Sequence, residues 1–242
     1  MKVKILGSNS RGNCYILDNG KEALVIEAGV DFRYVKRSVG FDIGRIAGCI
    51  VTHSHNDHAG YLRQYIQSGI RTLALSEVYQ SHSITPTMFC NEVSKGSAYR
   101  MGGFVIDTFA VDHDVPCVGY LIKHEEIGKM LFLTDTMMCR YTFRNLTQIM
   151  IEANYADDIL QANIDSGHID PAMRPRLLRS HMELETTKGI LRANDLSQVD
   201  NIILIHLSDG NSDEGRFVSE IRSLTGKCVY AADAGMEIDL TY

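Results

Sequence analysis

Three histidines and an aspartate fall within six consecutive residues, His53-Ser54-His55-Asn56-Asp57-His58. The chain holds only nine histidines among 242 residues, so chance is a poor explanation of the run. It follows Cys49-Ile50-Val51-Thr52, which reads as the end of a buried strand. Side chains alternate along an extended segment, so His53 and His55 point the same way, while Asp57 and His58 reach a second point nearby. Four donors of these types can hold two adjacent divalent cations, the arrangement of a two-metal hydrolytic site.

A short loop cannot close two metal shells, so further donors must arrive from other strands. Three residues have the right setting. His113 follows the strand-like run Phe104–Val111, Asp135 follows Met130–Leu133 and Thr134, and His206 ends the run Ile202–Ile205. Each caps a buried strand, where α/β proteins put their chemistry. Taken singly, each reads as an ordinary strand-end turn residue. Taken with the first run, they read as ligands.

Short apolar strands fill the first third: Val3–Leu6, Cys14–Leu17, Ala23–Glu27 and Ile46–Val51. A helix fits Asp31–Ser38, with Asp31 as its cap and Gly40 beyond its end. A second helix is expected from Ala59, its first N–H groups close to the histidine run. Later the pattern alternates: Gln148–Glu152 then Ala156–Ala162, and Asn201–His206 then Ser212–Leu224. A duplicated half fits this order, although no sequence repeat is visible. The Asp/Gly/Pro-rich stretch Ala162–Pro175 reads as a loop over the site, or as an ordinary surface connection. No linker or low-complexity segment interrupts the chain, so residues 1–242 are expected to form a single domain.

The formal net charge of −6 supplies no general attraction to nucleic acid, though a local basic patch remains compatible with it. Six scattered cysteines without paired spacing read as free thiols of a reducing compartment. The opening Met1–Leu6 runs straight into a strand and leaves no room for a signal peptide. No apolar stretch approaches membrane-spanning length. A cytoplasmic enzyme without a membrane partner is expected, and a secreted antibiotic-degrading lactamase is disfavoured. The loop Gly7-Ser8-Asn9-Ser10-Arg11-Gly12-Asn13 can offer backbone N–H groups and one cation to a phosphate. Loops of this composition are also common as plain turns.

The whole set resembles the metallo-β-lactamase fold superfamily, whose H-x-H-x-D-H motif stands here as His53 to His58. The resemblance implies an αββα four-layer sandwich, two mixed sheets packed face to face with helices outside. It implies one metal held by His53, His55 and His113, a second by Asp57, His58 and His206, and Asp135 bridging them. The oxygen-reducing di-iron branch carries Glu where this chain has His55. Zinc or manganese hydrolysis is therefore expected, with iron also accepted by such ligands. A narrower likeness is to the bacterial, nuclease-like YycJ/WalJ group. It rests on the opening Gly7–Asn13 with Cys14-Tyr15, on Glu152-Ala153-Asn154, and on His206-Leu207-Ser208-Asp209-Gly210-Asn211. Two positions depart from the pattern. Glu27 replaces the usual Asp before Ala28-Gly29, with enough reach to orient the histidine loop. The group's G-H-L-S-N segment is Ser180-His181-Met182-Glu183-Leu184, where only the histidine survives.

The expected chemistry is phosphodiester hydrolysis by a hydroxide bridging the two metals. Asp57 would also orient the attacking water, and His181 would protonate the leaving oxygen or hold a substrate phosphate. His181 has the plain alternative of starting a helix. Ser8, Asn9, Arg11 and Asn154 would contact substrate. The substrate would be a single-stranded or end-exposed nucleic acid, or a small phosphodiester such as a cyclic nucleotide. There is no room for a β-CASP domain between Asp135 and His206, and no exosite arm of the tRNA-processing kind is visible. Tyr15, Tyr141 and Tyr155 are base-stacking candidates, though strand-end tyrosines usually belong to the core or rim. His82 and His124 read as surface residues, and His168 lies in the Asp/Gly-rich loop. Two other functions stay open on the same ligands: ester, thioester or lactam hydrolysis, and a metal-binding regulator without turnover. An oligomer is compatible with everything above.

Overall fold

A computed structural model describes residues 1–240. One sheet contains β1 (Lys2–Asn9), β2 (Gly12–Asp18), β3 (Ala23–Ile26), β4 (Ile46–Ile50), β5 (Thr72–Ala74) and β6 (Cys90–Glu92). The other contains β7 (Ala98–Met101), β8 (Phe104–Ala110), β9 (Val118–His124), β10 (Gly128–Leu133), β11 (Gln148–Glu152), β12 (Asn201–Ile205) and β13 (Cys228–Ala231). The last strand, β14 (Glu237–Asp239), returns to the first sheet and pairs antiparallel with β1. The helices are α1 (Phe32–Ser38), α2 (Asn56–Ala59), α3 (Leu62–Gln67), α4 (Ser76–Ser81), α5 (Asp157–Asp165), α6 (Arg174–Ser180), α7 (Leu184–Ala193) and α8 (Glu214–Thr225).

Both sheets follow one plan. An antiparallel meander, β1-β2-β3 or β7-β8-β9-β10, is extended by three parallel strands, β4-β5-β6 or β11-β12-β13. The repeated plan has the form expected of a duplicated half. Sheet packing follows from alternation. Met130, Phe132, Met150, Ile203 and Ile205 enter the core shared with the first sheet. Their neighbours Leu131, Leu133, Ile149, Ile151, Ile202 and Leu204 face a second core with Leu184, Leu191, Phe217 and Ile221 of α7 and α8. Phe32, Leu62, Tyr65 and Val78 pack α1, α3 and α4 on the first sheet. The result is the four-layer α/β sandwich expected from the sequence.

Three local expectations need correction. The helix expected from Ala59 begins at Asn56, inside the histidine run, so His58 is already helical. The expected loop Ala162–Pro175 is interrupted by helix: α5 runs to Asp165, a 3₁₀ turn covers Pro171–Met173, and α6 follows from Arg174. Pro171 and Pro175 occupy first-turn positions, where a missing N–H costs nothing, and the Asp170 side chain accepts from Ala172 N at 2.9 Å. The Asp and Pro residues there are start signals. His124 is buried, with its ring against Phe104 (centroids 4.6 Å apart) and Nε2 3.2 Å from Glu22 Oε1.

Candidate metal centre

The centre lies where strands of both sheets end. Glu27 follows β3, Asp135 follows β10 and His206 follows β12. All three have positive φ, of 67°, 48° and 54°. Such a backbone costs about 1–3 kcal/mol per non-glycine residue and persists where surrounding structure enforces it, commonly at functional sites. At each position the turn swings a side chain off the strand end toward the same point.

His53, His55, His113 and Asp135 bring one donor atom each to within 4.8 Å of one another. Asp57, His58 and His206 do the same. Asp135 faces both groups. Its Oδ1 is 3.3 Å from His58 Nε2 and 3.8 Å from His206 Nε2, and its Oδ2 is 3.7 Å from His53 Nε2 and 3.9 Å from His113 Nε2. Nε2 of His53 is buried and has no hydrogen-bond partner among the described residues. An unpartnered buried nitrogen is costly unless something else takes its lone pair. Imidazoles and carboxylates are the donors of zinc and manganese sites, so these residues fit divalent ions.

The supporting residues fix which nitrogen faces inward. Thr52 Oγ1 donates to Glu27 Oε1 (2.6 Å) and lies 2.9 Å from His53 Nδ1. His53 therefore spends its Nδ1 proton on Thr52 and keeps the Nε2 lone pair for the centre. Glu27 Oε1 also faces His58 Nδ1 at 3.4 Å. The longer acid, unusual for the superfamily pattern, thus faces His58 directly and reaches His53 through the Thr52 hydroxyl. His82 Nε2 donates to the Ser54 carbonyl at 2.8 Å, tying the histidine run to the end of α4. Asn13 Nδ2 reaches Asp57 O (3.3 Å) and His58 Nε2 (3.0 Å). Gly29 admits no side chain: a Cβ there would sit 1.7 Å from the Asp57 carbonyl oxygen.

Electrostatics divide the histidines. Burial, helped by neighbouring His58, holds His53 well below its ordinary range and so neutral. Burial likewise lowers His113 to about 4. For His58, burial is outweighed by Asp135 and Glu27, and its pKa rises. Burial would raise Asp57, but hydrogen bonds from His206 and His58 keep it ionised well into acid.

A cavity of about 350 Å³ opens over these donors, lined among others by Asp57, Asp114, Asp135, Arg176, His181 and His206. At its edge His181 Nδ1 donates to Glu152 Oε1 at 2.8 Å. Burial opposes the charge on His181, yet Glu152 outweighs it and lifts the pKa to about 9. His181 closes α6 instead of starting a helix. Of the residues expected against substrate, two stand behind His206. Ser8 Oγ accepts from His206 N at 3.1 Å, and Asn154 Nδ2 donates to the His206 carbonyl at 2.7 Å. Arg11 is exposed and paired with Asp209 at 2.5 Å, and Asn9 lines a neighbouring polar recess. Tyr15 is core, its hydroxyl on Ser8 (2.8 Å). Three residues of the site lacked an assigned role in the sequence: the cavity residues Asp114 and Arg176, and Glu152, buried behind His181. Glu152 carried a motif but no role. Asp114 lies 3.1 Å from His113 Nε2 and 3.3 Å from His55 Nε2, and the Asp-His-Asp run around His113 was its only signal. Arg176 had none.

A sequence profile of the metallo-β-lactamase superfamily matches residues 8–136. The chain belongs to the metallo-β-lactamase superfamily. It is a hydrolase of that fold, from a family of metal-dependent enzymes. Exodeoxyribonuclease WalJ of Streptococcus pneumoniae is 25% identical over 98% of this chain and 91% of its own length. Exodeoxyribonuclease YycJ of Bacillus anthracis is 22% identical over 88% of this chain and 84% of its own. Among solved structures, YhfI of Bacillus subtilis superposes with a TM-score of 0.70 at 14% identity, covering 98% of this chain and 99% of that one. The short form of human tRNase Z superposes with a TM-score of 0.63 at 17% identity over the full length of both. At such identities the two structures are alike in fold alone.

Proposed function

We propose that the protein is a phosphodiesterase acting on nucleic acid, exonuclease-like, with two divalent ions, zinc or manganese, at its centre. One observation carries this reading. The two oxygens of a single carboxylate, Asp135, face different donor groups within one cavity whose edge holds His181. His53, His55 and His113 would hold one ion, Asp57, His58 and His206 the other, with Asp135 between them. Such ions, when bound, polarise water and phosphoryl oxygens and offset the charge that builds up in the transition state.

The remaining work falls to the chain itself. Glu27 and Thr52 orient the imidazoles of His53 and His58. Asp57 turns Oδ2 to His206 at 3.1 Å and leaves Oδ1 to orient the attacking water. His181 is held through Nδ1 by Glu152, so its Nε2 can give a proton to the leaving oxygen. Ser8 and Asn154 act as positioning residues for His206, while Asn9 and Arg11 would meet the backbone beyond the reacting phosphate only if Arg11 exchanged its partner Asp209 for that phosphate. Two relatives named exodeoxyribonucleases along most of their length support a nucleic-acid substrate. Six unpaired cysteines support a reducing, cytoplasmic setting, and no described helix is long and apolar enough to cross a membrane.

The test is turnover by the zinc- or manganese-loaded protein of 5′-phosphorylated single-stranded DNA, bis-p-nitrophenyl phosphate, a chromogenic lactam and a thioester. Phosphodiester hydrolysis is expected. Turnover of the thioester or lactam alone would refute the reading.

A further inference from the structure

Two cavities share His181 as a lining residue. One is the cavity of about 350 Å³ over the donor groups. The other, about 560 Å³, lies alongside and is lined by Met137, Met138, Tyr155, Arg174 and Leu178 among others. Both volumes suit an organic ligand, for which sites of ~300–1,000 Å³ are usual. Helix α6 contributes to both: Arg176 and Leu177 line the first, Arg174 and Leu178 the second.

The two walls differ in character. In the second groove Met137, Met138 and Leu178 are 39%, 39% and 40% exposed, an apolar surface left open to solvent. Its charges are already spent. Arg174 pairs with Asp157 at 2.6 Å, and the Glu183 carboxylate caps α7 by accepting from Glu185 N and Thr186 N. Arg176 is the opposite case. It stands exposed in a cavity that also contains Asp57, Asp114 and Asp135, yet it has no carboxylate partner among the described residues. An unpaired guanidinium in that wall is free to take an anion in bidentate fashion.

The geometry points to an unpaired nucleic-acid end as the substrate, with a backbone phosphate on Arg176 and the adjoining base against Met137, Met138 and Leu178. This rests on the nucleic-acid reading above, commits it to the unpaired state among the alternatives the sequence left open, and adds the residues that select it. A terminal base held in a duplex is paired to the other strand and stacked on its inner neighbour, so it cannot turn out into the groove without being unpaired. Methionine thioethers are soft and adaptable, and every base has a π-face, so the groove accepts any sequence. His181 sits between the two contacts, where the leaving oxygen would emerge.

The test uses the full-length, metal-loaded protein and a phosphorothioate-linked oligodeoxynucleotide carrying 2-aminopurine at its terminal nucleotide. Anisotropy reads affinity, and the fluorescence change reads burial of the base. Single strands should bind more tightly than blunt duplexes of the same sequence. Arg176→Ala should weaken binding about tenfold and lower the salt slope by about one, with part of the affinity regained in Arg176→Lys. Leu178→Asp should remove the fluorescence change while the protein keeps wild-type melting behaviour, since Leu178 lies at the surface. Equal affinity for blunt duplexes, or an Arg176→Ala variant with unaltered affinity and salt slope, would overturn the inference. Wild-type protein that hydrolyses bis-p-nitrophenyl phosphate but neither binds nor cuts any oligonucleotide would instead refute the nucleic-acid reading beneath it.

Discussion

Asp135 Oδ1 lies 3.3 Å from His58 Nε2, while the other oxygen of the same carboxylate turns to His53. One buried side chain therefore serves both halves of the centre. It reaches that position through a left-handed turn at the end of β10, a conformation few non-glycine residues adopt unless held there. Burial and charge balance each other here. Burial alone would neutralise the carboxyl, but His206 and His58 outweigh it and keep Asp135 ionised.

Glu27 is the first residue to test behind the ligands. Glu27→Gln preserves the shape but removes the negative charge that faces His58 and anchors Thr52. Metal affinity is expected to fall roughly 10–100-fold, the usual effect of losing such an orienting partner. Competition with a chromophoric chelator reads this directly, and an unchanged affinity would exclude an orienting role for Glu27.

Glu152 should matter in proportion to the basicity of the leaving group. In Glu152→Gln the partner of His181 Nδ1 loses its charge, and His181 becomes a poorer proton carrier. With an alkyl or nucleoside leaving group kcat should drop roughly 10²–10⁴-fold, the ordinary worth of general acid catalysis. With p-nitrophenolate, which departs without a proton, the drop should be far smaller. Equal losses on both substrates would point to damage of the metal centre instead.

Much of this site was legible beforehand because its signals are local. The run His53–His58 declares its donors within six residues, and His113, Asp135 and His206 each stand just beyond an apolar strand. The four-layer architecture followed from resemblance, and strand alternation accounts for its packing. What stayed hidden depends on contacts far apart in sequence. Glu152 meets His181 across 29 positions, and Asp114 meets His55 across 59. Arg176 enters the cavity wall only because Asp170, Pro171 and Pro175 start a helix in a stretch whose composition suggests loop. His124 read as a surface residue, but the Phe104 ring and Glu22 hold it inside.

Gly29 should tolerate nothing larger. In Gly29→Ala the new Cβ meets the Asp57 carbonyl oxygen at 1.7 Å, so the histidine run must move. A loss of about 3 kcal/mol is expected, the upper end for overpacking, together with weakened metal binding. Chemical denaturation checks the first and chelator competition the second. A variant of wild-type stability would show that the two loops are not in register as described.

Far from the centre, Asp18 accepts from Lys4 Nζ (2.8 Å), Gly20 N (2.8 Å) and both terminal nitrogens of Arg45. Burial would raise its pKa, but Arg45 and Lys4 outweigh burial and hold it well below the usual carboxylate range. A pKa lowered in the folded state adds stability above the unfolded value near 3.9, and that stability disappears as pH falls through the folded value. Asp18→Asn should therefore cost about 1–3 kcal/mol at neutral pH, because Lys4 and Arg45, each partly open to solvent, lose their common charged partner. The gap from wild type should narrow as the medium is acidified below about pH 4. Denaturant melts across that range decide it, and a gap that widens toward acid would reverse the sign of the argument.

The most direct test is the number of metal ions bound per chain, measured by mass spectrometry of the elements after loading with zinc or manganese and removing free ion. Wild type should carry two. His206→Ala should keep one, and Asp135→Ala, which removes the group shared by both donor sets, should retain fewer than one. A wild-type chain that binds no stoichiometric metal, or an Asp135→Ala chain that still binds two, would contradict the account.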